Sequence, residues 1–351
     1  MRIGVPAEIK TQEGRVALTP EACGFLLSQG HEVFMQSKAG AASGYSDDDY
    51  LAMGVRLIEG ARELYELSEL VVKVKEPQPQ EAGWLRRDQL LFCYLHLAAE
   101  TELTDLLLNS GVTAIGFEIL QIDHSLPLLA PMSEVAGRLA AQVSGHLLHR
   151  TQGGKGLLIG GVNGTDPGHA VVIGAGQAGI AALKDLLCSG AKVTLLDINQ
   201  ERLVWARGKF PDIQIQDSGQ PEKVSEAVAS ADILIGAALI PGKRAPIVVT
   251  RQMVSQMKAG GVIVDIAIDQ GGCIETSRPT SYDSPTYIEE GQVHFCVANM
   301  PGAVPRTSAQ ALSQAILPYV LQLASGALAS DSALQGAIYL RDGEIQYAGL
   351  K

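Results

Sequence analysis

The sequence predicts an α/β chain of two domains, each a doubly wound parallel sheet, with a cleft between them. Three observations carry that expectation. Residues 170–197 read in order as strand, glycine turn, helix, strand and acid. The N-terminal third alternates short apolar runs with capped helices. The chain has 351 residues, long for one core, and its last long helix comes after the 170–197 segment.

The 170–197 segment organises the rest. Residues 170–173 are apolar and valine-rich, as in a buried strand. Gly174, Gly176 and Gly179 follow with G-x-G-x-x-G spacing. Gly174 permits a tight turn, Gly176 lets the backbone approach a pyrophosphate, and Gly179 allows close packing of helix on strand. A helix over 177–188 offers its N-terminal N–H groups to phosphate, and a second strand over 193–196 ends on Asp197. A carboxylate at that place accepts hydrogen bonds from the two ribose hydroxyls. It repels a 2′-phosphate, which favours NAD over NADP; Arg202 weakens that preference. A purely structural turn is the plain alternative.

In the N-terminal third, residues 3–5, 31–35, 70–74, 90–94 and 112–115 read as strands. Thr19 before Pro20 marks a helix start, with the helix stopping at Gly30. Ser46 before three aspartates marks another start, and Thr101 caps a helix that ends at Gly111. Prolines 127 and 131 mark a boundary. A long helix then opens at Ser133, with an apolar stripe of Val135, Leu139, Val143 and Leu147. The glycine-rich run 153–164 lacks a G-K-[ST] ending and reads as connecting structure. Strands are expected at 233–236 and 261–265. Gly302 and Pro305 break the chain before a last helix over 308–324. That helix is expected to return to the first domain. The resulting division is 1–128 plus 305–351 for the substrate domain and 129–304 for the dinucleotide domain.

Composition narrows the partners. The net charge of −11 disfavours nucleic acid and anionic membranes. No run of about 18 apolar residues occurs, and Met1-Arg2 leads straight into a strand, with no signal-peptide pattern. The five cysteines are scattered without a C-x-x-C pair, as expected of reduced thiols in a cytoplasmic protein.

Four residues outside the glycine fingerprint are candidates for chemistry. Arg15 follows the first strand, at the end where ligands of parallel sheets gather. A guanidinium there can hold a carboxylate bidentately; a surface arginine is the alternative. Lys73 and Lys75 alternate in VVKVKEP, and Lys75 lies at a strand end, as cleft lysine or solvated end. His96 follows LLFCYL and suits acid–base work, against the alternative of a structural histidine. Asp269 follows an apolar strand and precedes two glycines, at the nicotinamide end of such a sheet or as a turn aspartate. His146 and His149 lie three apart on one helix, but no acid or cysteine cluster completes a metal site.

At this point the motifs carry a resemblance. RIGVPAEIKTQEGRVALTP, VVKVKEP, YLHLA, PMSEVAGR, VDIAIDQGG and CVANMPGAVPRTS resemble the corresponding segments of the alanine dehydrogenase family, along nearly the whole chain. The wider family includes the NAD-binding subunit of proton-translocating transhydrogenase. The resemblance implies a cytoplasmic homohexamer that reversibly deaminates L-alanine to pyruvate and ammonium with hydride transfer to NAD. It implies Arg15 and Lys75 as substrate-binding residues, and His96 and Asp269 as catalytic ones. For the cofactor it points, beside Gly174, Gly176 and Gly179, to Ser133, Gln177, Ala178, Asp197 and Arg202, and to a serine contact that aligns near Ser218 or Gly219. It points also to Ala238 and Leu239, to Ile266, Ala267, Ile268 and Asp269, and to Val297, Ala298, Asn299 and Met300. Ala7 departs from the pattern where many relatives carry lysine, and the tail RDGEIQYAGLK is shorter than usual. A transhydrogenase-type subunit would bind NAD beside a membrane partner without amino acid turnover. A non-catalytic NAD sensor would keep the fingerprint and lose the acid–base pair. Joint presence of Arg15, Lys75, His96 and Asp269 argues against both.

Overall fold

The structure, a computed structural model, describes residues 1–123, 125–240 and 244–350. In chain order the strands are β1 (Arg2–Val5), β2 (Glu32–Gln36), β3 (Arg56–Ile58), β4 (Leu70–Val72), β5 (Leu90–Cys93) and β6 (Thr113–Gly116). They continue as β7 (His169–Ile173), β8 (Lys192–Asp197), β9 (Gln214–Asp217), β10 (Ile233–Gly236), β11 (Val262–Asp265), β12 (Thr286–Glu289), β13 (Gln292–Phe295), β14 (Ile338–Arg341) and β15 (Glu344–Ile345). The chain divides into two compact units, Met1–Met132 with Gly302–Lys351, and Ser133–Pro301. The sequence-based boundaries at 128/129 and 304/305 lie a few residues from these.

Both units are helix-flanked α/β sheets with parallel pairing dominant. In the first, the order is β3-β2-β1-β4-β5-β6-β14-β15, parallel as far as β6 and antiparallel beyond it. In the second it is β9-β8-β7-β10-β11-β13-β12, with only β12 antiparallel. In each order the first strand lies between the second and fourth, so the connections reverse beside it. A crevice opens at the carboxyl ends of strands at such a reversal.

The second unit shows why its strands read as unbroken apolar runs. Ala170, Val172, Leu195, Ile233, Ile235, Val262 and Val264 pack on one face, against Ala136, Ala140, Ala182 and Leu186. Val171, Ile173, Leu196, Leu234 and Ile263 pack on the other, against Val224 and Val228. A sheet covered on both faces leaves no polar side to alternate.

Several local expectations hold. Thr19 caps Pro20–Ser28 by accepting from the Ala22 N–H. Ser46 and Asp49 form a reciprocal capping box on Asp47–Ala52. Others need correction. Thr101 is the first residue of Thr101–Ser110, whose cap is Glu100 with no side-chain bond. The long helix begins at Ala130, not Ser133, and the last at Pro305, not Ser308. In both, the proline read as a break sits in the first turn, where its missing N–H has no intrahelical partner to lose. On Ala130–Leu147 the expected Val135 and Leu147 are buried, together with Ala136, Ala140, Ala141 and Ser144, while Leu139 and Val143 are half-buried. Small residues allow close approach here: a Cβ on Gly137 would lie 2.1 Å from the Ala178 carbonyl oxygen.

Candidate functional site

In the first unit, Arg15, Lys75 and His96 follow β1, β4 and β5, three adjacent strands, at their carboxyl ends. Arg15 is 2% exposed. Its Nε donates to Glu13 Oε1 at 2.7 Å, its backbone N–H donates to the same oxygen at 2.9 Å, and Nη2 pairs with Glu13 Oε2. Nη1 lies 3.1 Å from the Met132 sulfur, a weak acceptor. Burial disfavours the Arg15 cation, but Glu13 outweighs it and holds the guanidinium above its ordinary pKa. One side of the fork therefore faces a carboxylate of the protein itself, which narrows the bidentate grip expected from sequence.

Lys75 lies beyond the end of β4, at the carboxyl edge of the sheet. Its neighbour Lys73 is fully buried, with Nζ 2.9 Å from Glu81 Oε1 and 3.3 Å from Glu8 Oε2. Tyr65 donates its hydroxyl to Glu81 at 3.0 Å. Burial opposes the Lys73 ammonium, and the two glutamates outweigh that and raise its pKa. The alternation of Lys73 and Lys75 thus separates a buried ion cluster from a half-buried side chain.

His96 has a left-handed backbone, φ 48° and ψ 34°. Glu118, in the turn Phe117–Ile119 after β6, holds that conformation. Its carboxylate accepts the His96 N–H at 2.6 Å and the Leu95 N–H at 3.2 Å, with His96 Nδ1 4.0 Å away. The His96 ring stacks on Tyr94 at 5.9 Å between centroids and 4° between planes. Tyr94 is anchored by donating to the Leu128 carbonyl at 2.6 Å.

In the second unit the expected cofactor residues gather at the carboxyl edge of the sheet. Gly174 has φ 106°, and a Cβ there would meet the Ala237 carbonyl oxygen at 2.5 Å. On Gly179 it would lie 1.8 Å from the Gly174 oxygen. On Gly176 it would meet nothing within 4 Å, above the N-terminus of Gln177–Cys188, which has no side-chain cap. Gln177 is exposed and Ala178 half-buried there. Asp197 ends β8 and accepts the Ala175 and Asn199 N–H groups. Arg202 donates from Nε and Nη2 to the Ala175 carbonyl at 3.2 and 2.7 Å and lies over the Trp205 ring. The peptide between the first two glycines is thus held from both sides.

Ser218 follows β9 and donates its N–H to the Asp197 carbonyl at 3.1 Å, and Ala238 and Leu239 follow β10. Ile266, Ala267, Ile268 and Asp269 form the turn after β11, whose cap Asp265 accepts the Ala267, Cys273 and Ile274 N–H groups. Val297, Ala298, Asn299 and Met300 follow β13. Exposed Asp269 accepts the Asn299 N–H at 3.1 Å, which joins these two loops. Ser133 stands apart from the loops, in the helix Ala130–Leu147.

Sequence reasoning missed Glu8, Glu13 and Glu118, which hold the backbones of Lys75, Arg15 and His96. Only Glu13, two residues from its partner, carried a local signal. Among the described residues no group of three or more His, Cys, Asp or Glu is placed to hold a metal ion, and no helix is long and apolar enough to cross a membrane.

Comparison with known proteins decides the family. Residues 4–136 match the N-terminal domain of alanine dehydrogenase/PNT, and residues 140–348 match its C-terminal domain. The chain belongs to the alanine dehydrogenase/PNT family. Within it, an alanine dehydrogenase of Halomonas elongata is 47% identical over 99% of this chain and 95% of its own. One from Bacillus subtilis is 47% identical over 99% and 93%. A solved L-alanine dehydrogenase structure superposes with TM-score 0.96 at 46% identity, covering 100% of this chain and 98% of its own. A transhydrogenase from Sinorhizobium meliloti superposes with TM-score 0.85 over 99% of both chains; at 22% identity that likeness is one of fold.

Proposed function

We infer that the chain catalyses the NAD-dependent, reversible oxidative deamination of L-alanine to pyruvate and ammonium. The observation that carries this is near-full-length identity of 47% to alanine dehydrogenases, with Arg15, Lys75 and His96 at three adjacent strand ends. The glycine turn fits a dinucleotide: two glycines are filled by their own backbone and the third opens on an uncapped helix N-terminus, where phosphate binds. Gly176, Gln177 and Ala178 would hold the pyrophosphate, and Asp197 the ribose hydroxyls. NAD, when bound, supplies the hydride acceptor.

The chain's own residues then divide the work. The Arg15 charge attracts the alanine carboxylate and fixes the orientation of the Cα hydrogen. Lys75 donates to the oxygen that develops on Cα as water adds. His96 Nδ1 or Nε2 takes the proton from that water and returns one to the departing amine, so water, amine and proton balance as pyruvate and ammonium. Asp269 orients the amino group. We further propose a homo-oligomer, a hexamer by family resemblance, in a reducing cytoplasm. The test is NADH absorbance with L-alanine and NAD, run beside NADP and other small amino acids. A rise confined to NAD with L-alanine supports the reading. NADH binding with silence toward every amino acid contradicts it.

A further inference from the structure

Resting on the alanine dehydrogenase reading, we propose that Glu8 is a positioning residue of the substrate site, holding residues 73–75 so that Lys75 meets the substrate. Glu8 lies just past β1, and Lys75 just past β4, its parallel neighbour. The Glu8 side chain is 3% exposed. Its Oε1 accepts the Val74 N–H at 2.6 Å, and its Oε2 accepts the Lys75 N–H at 3.4 Å. The same Oε2 lies 3.3 Å from the Lys73 ammonium, itself bound to Glu81. One carboxylate thus meets three donors on three consecutive residues, across the point where the sheet connections reverse.

The geometry sets what each atom does. β4 ends at Val72; the neighbouring strand still takes the Lys73 N–H, at the Phe92 carbonyl, but not the N–H groups of Val74 and Lys75. Glu8 takes over that role for Val74 and Lys75. A carboxylate accepts at both oxygens, whereas an amide of the same shape turns one end into a donor. In Glu8→Gln, that end faces the Lys73 ammonium or a backbone N–H, and buried donors facing donors push the segment away. Lys73 serves as counter-charge: burial favours the neutral acid of Glu8, and the Lys73 ammonium opposes that.

The experiment compares Glu8→Gln, Glu8→Asp and Lys73→Met in the full chain, by KM and kcat for L-alanine and pyruvate, NADH Kd and Tm. Glu8→Gln is expected to raise both substrate KM values about tenfold with NADH Kd unchanged. Lys73→Met is expected to lower Tm and to raise both KM values clearly less than Glu8→Gln does, because it removes one of the three donors. Wild-type KM values in Glu8→Gln, or equal KM shifts in Glu8→Gln and Lys73→Met, overturn the proposal and leave Glu8 a structural ion-pair member. Glu8→Asp keeps the charge and shortens the reach, so it decides the matter if Glu8→Gln does not fold: raised KM supports, wild-type KM overturns. A wild-type chain silent with L-alanine and NAD is instead a failure of the functional reading, seen before any variant is made.

Discussion

His96 shows how much local strain one candidate residue carries. A left-handed backbone at a residue other than glycine costs about 1–2 kcal/mol, and two hydrogen bonds to Glu118 offset it. Replacing His96 by alanine leaves that backbone in place and removes only the imidazole. We expect His96→Ala to lower kcat by about 10² to 10⁴ with NADH affinity retained; near-normal turnover would remove His96 from the mechanism. The thiols make a second test. Cys23, Cys93, Cys273 and Cys296 are buried, and burial raises each thiol's pKa, while Cys188 is exposed. A maleimide should label Cys188 alone in the folded chain and all five once denatured, counted by intact mass. His96 was legible because a polar residue ending an apolar run must lie at a strand end. Glu118 was not, because a carboxylate under a loop 22 positions away leaves no local pattern.

The glycine turn separates two uses of the same residue at the scale of an element. Gly179 touches backbone and Gly176 faces open space. Gly179→Ala should therefore lose at least about 1–3 kcal/mol of stability from overpacking, seen as a lower Tm. Gly176→Ala should melt like wild type yet bind NADH at least tenfold more weakly, because the added methyl occupies the phosphate approach. Equal melting temperatures for the two variants would refute this division. Spacing alone placed Gln177–Cys188 correctly, since turn, helix period and closing Ser-Gly agree. The helices at Ala130 and Pro305 start earlier than the sequence pattern suggests, because each proline is a first-turn residue and not a stop. The β14–β15 hairpin is legible too: Asp342 and Gly343, both at positive φ, form the strongest short hairpin signal.

For the whole molecule, the two units share the strand order 3-2-1-4-5; the first continues with parallel β6 and the antiparallel β14–β15 pair, the second with parallel β13 and antiparallel β12. Within each unit that order places the candidate loops at strand carboxyl ends, so residues far apart in sequence lie along one sheet edge. The sequence showed this as alternation of apolar runs and caps. It did not show which lysine is buried, because Lys73 and Lys75 differ only in the carboxylates that fold brings to them. The central claim is hydride transfer from the alanine Cα to NAD, and isotope transfer tests it most directly. L-Alanine deuterated at Cα should give pyruvate, ammonium and NADH one mass unit heavier, with the deuterium on the nicotinamide ring. NADH formed without deuterium, or deuterated alanine returned unchanged beside bound NAD, would contradict the account.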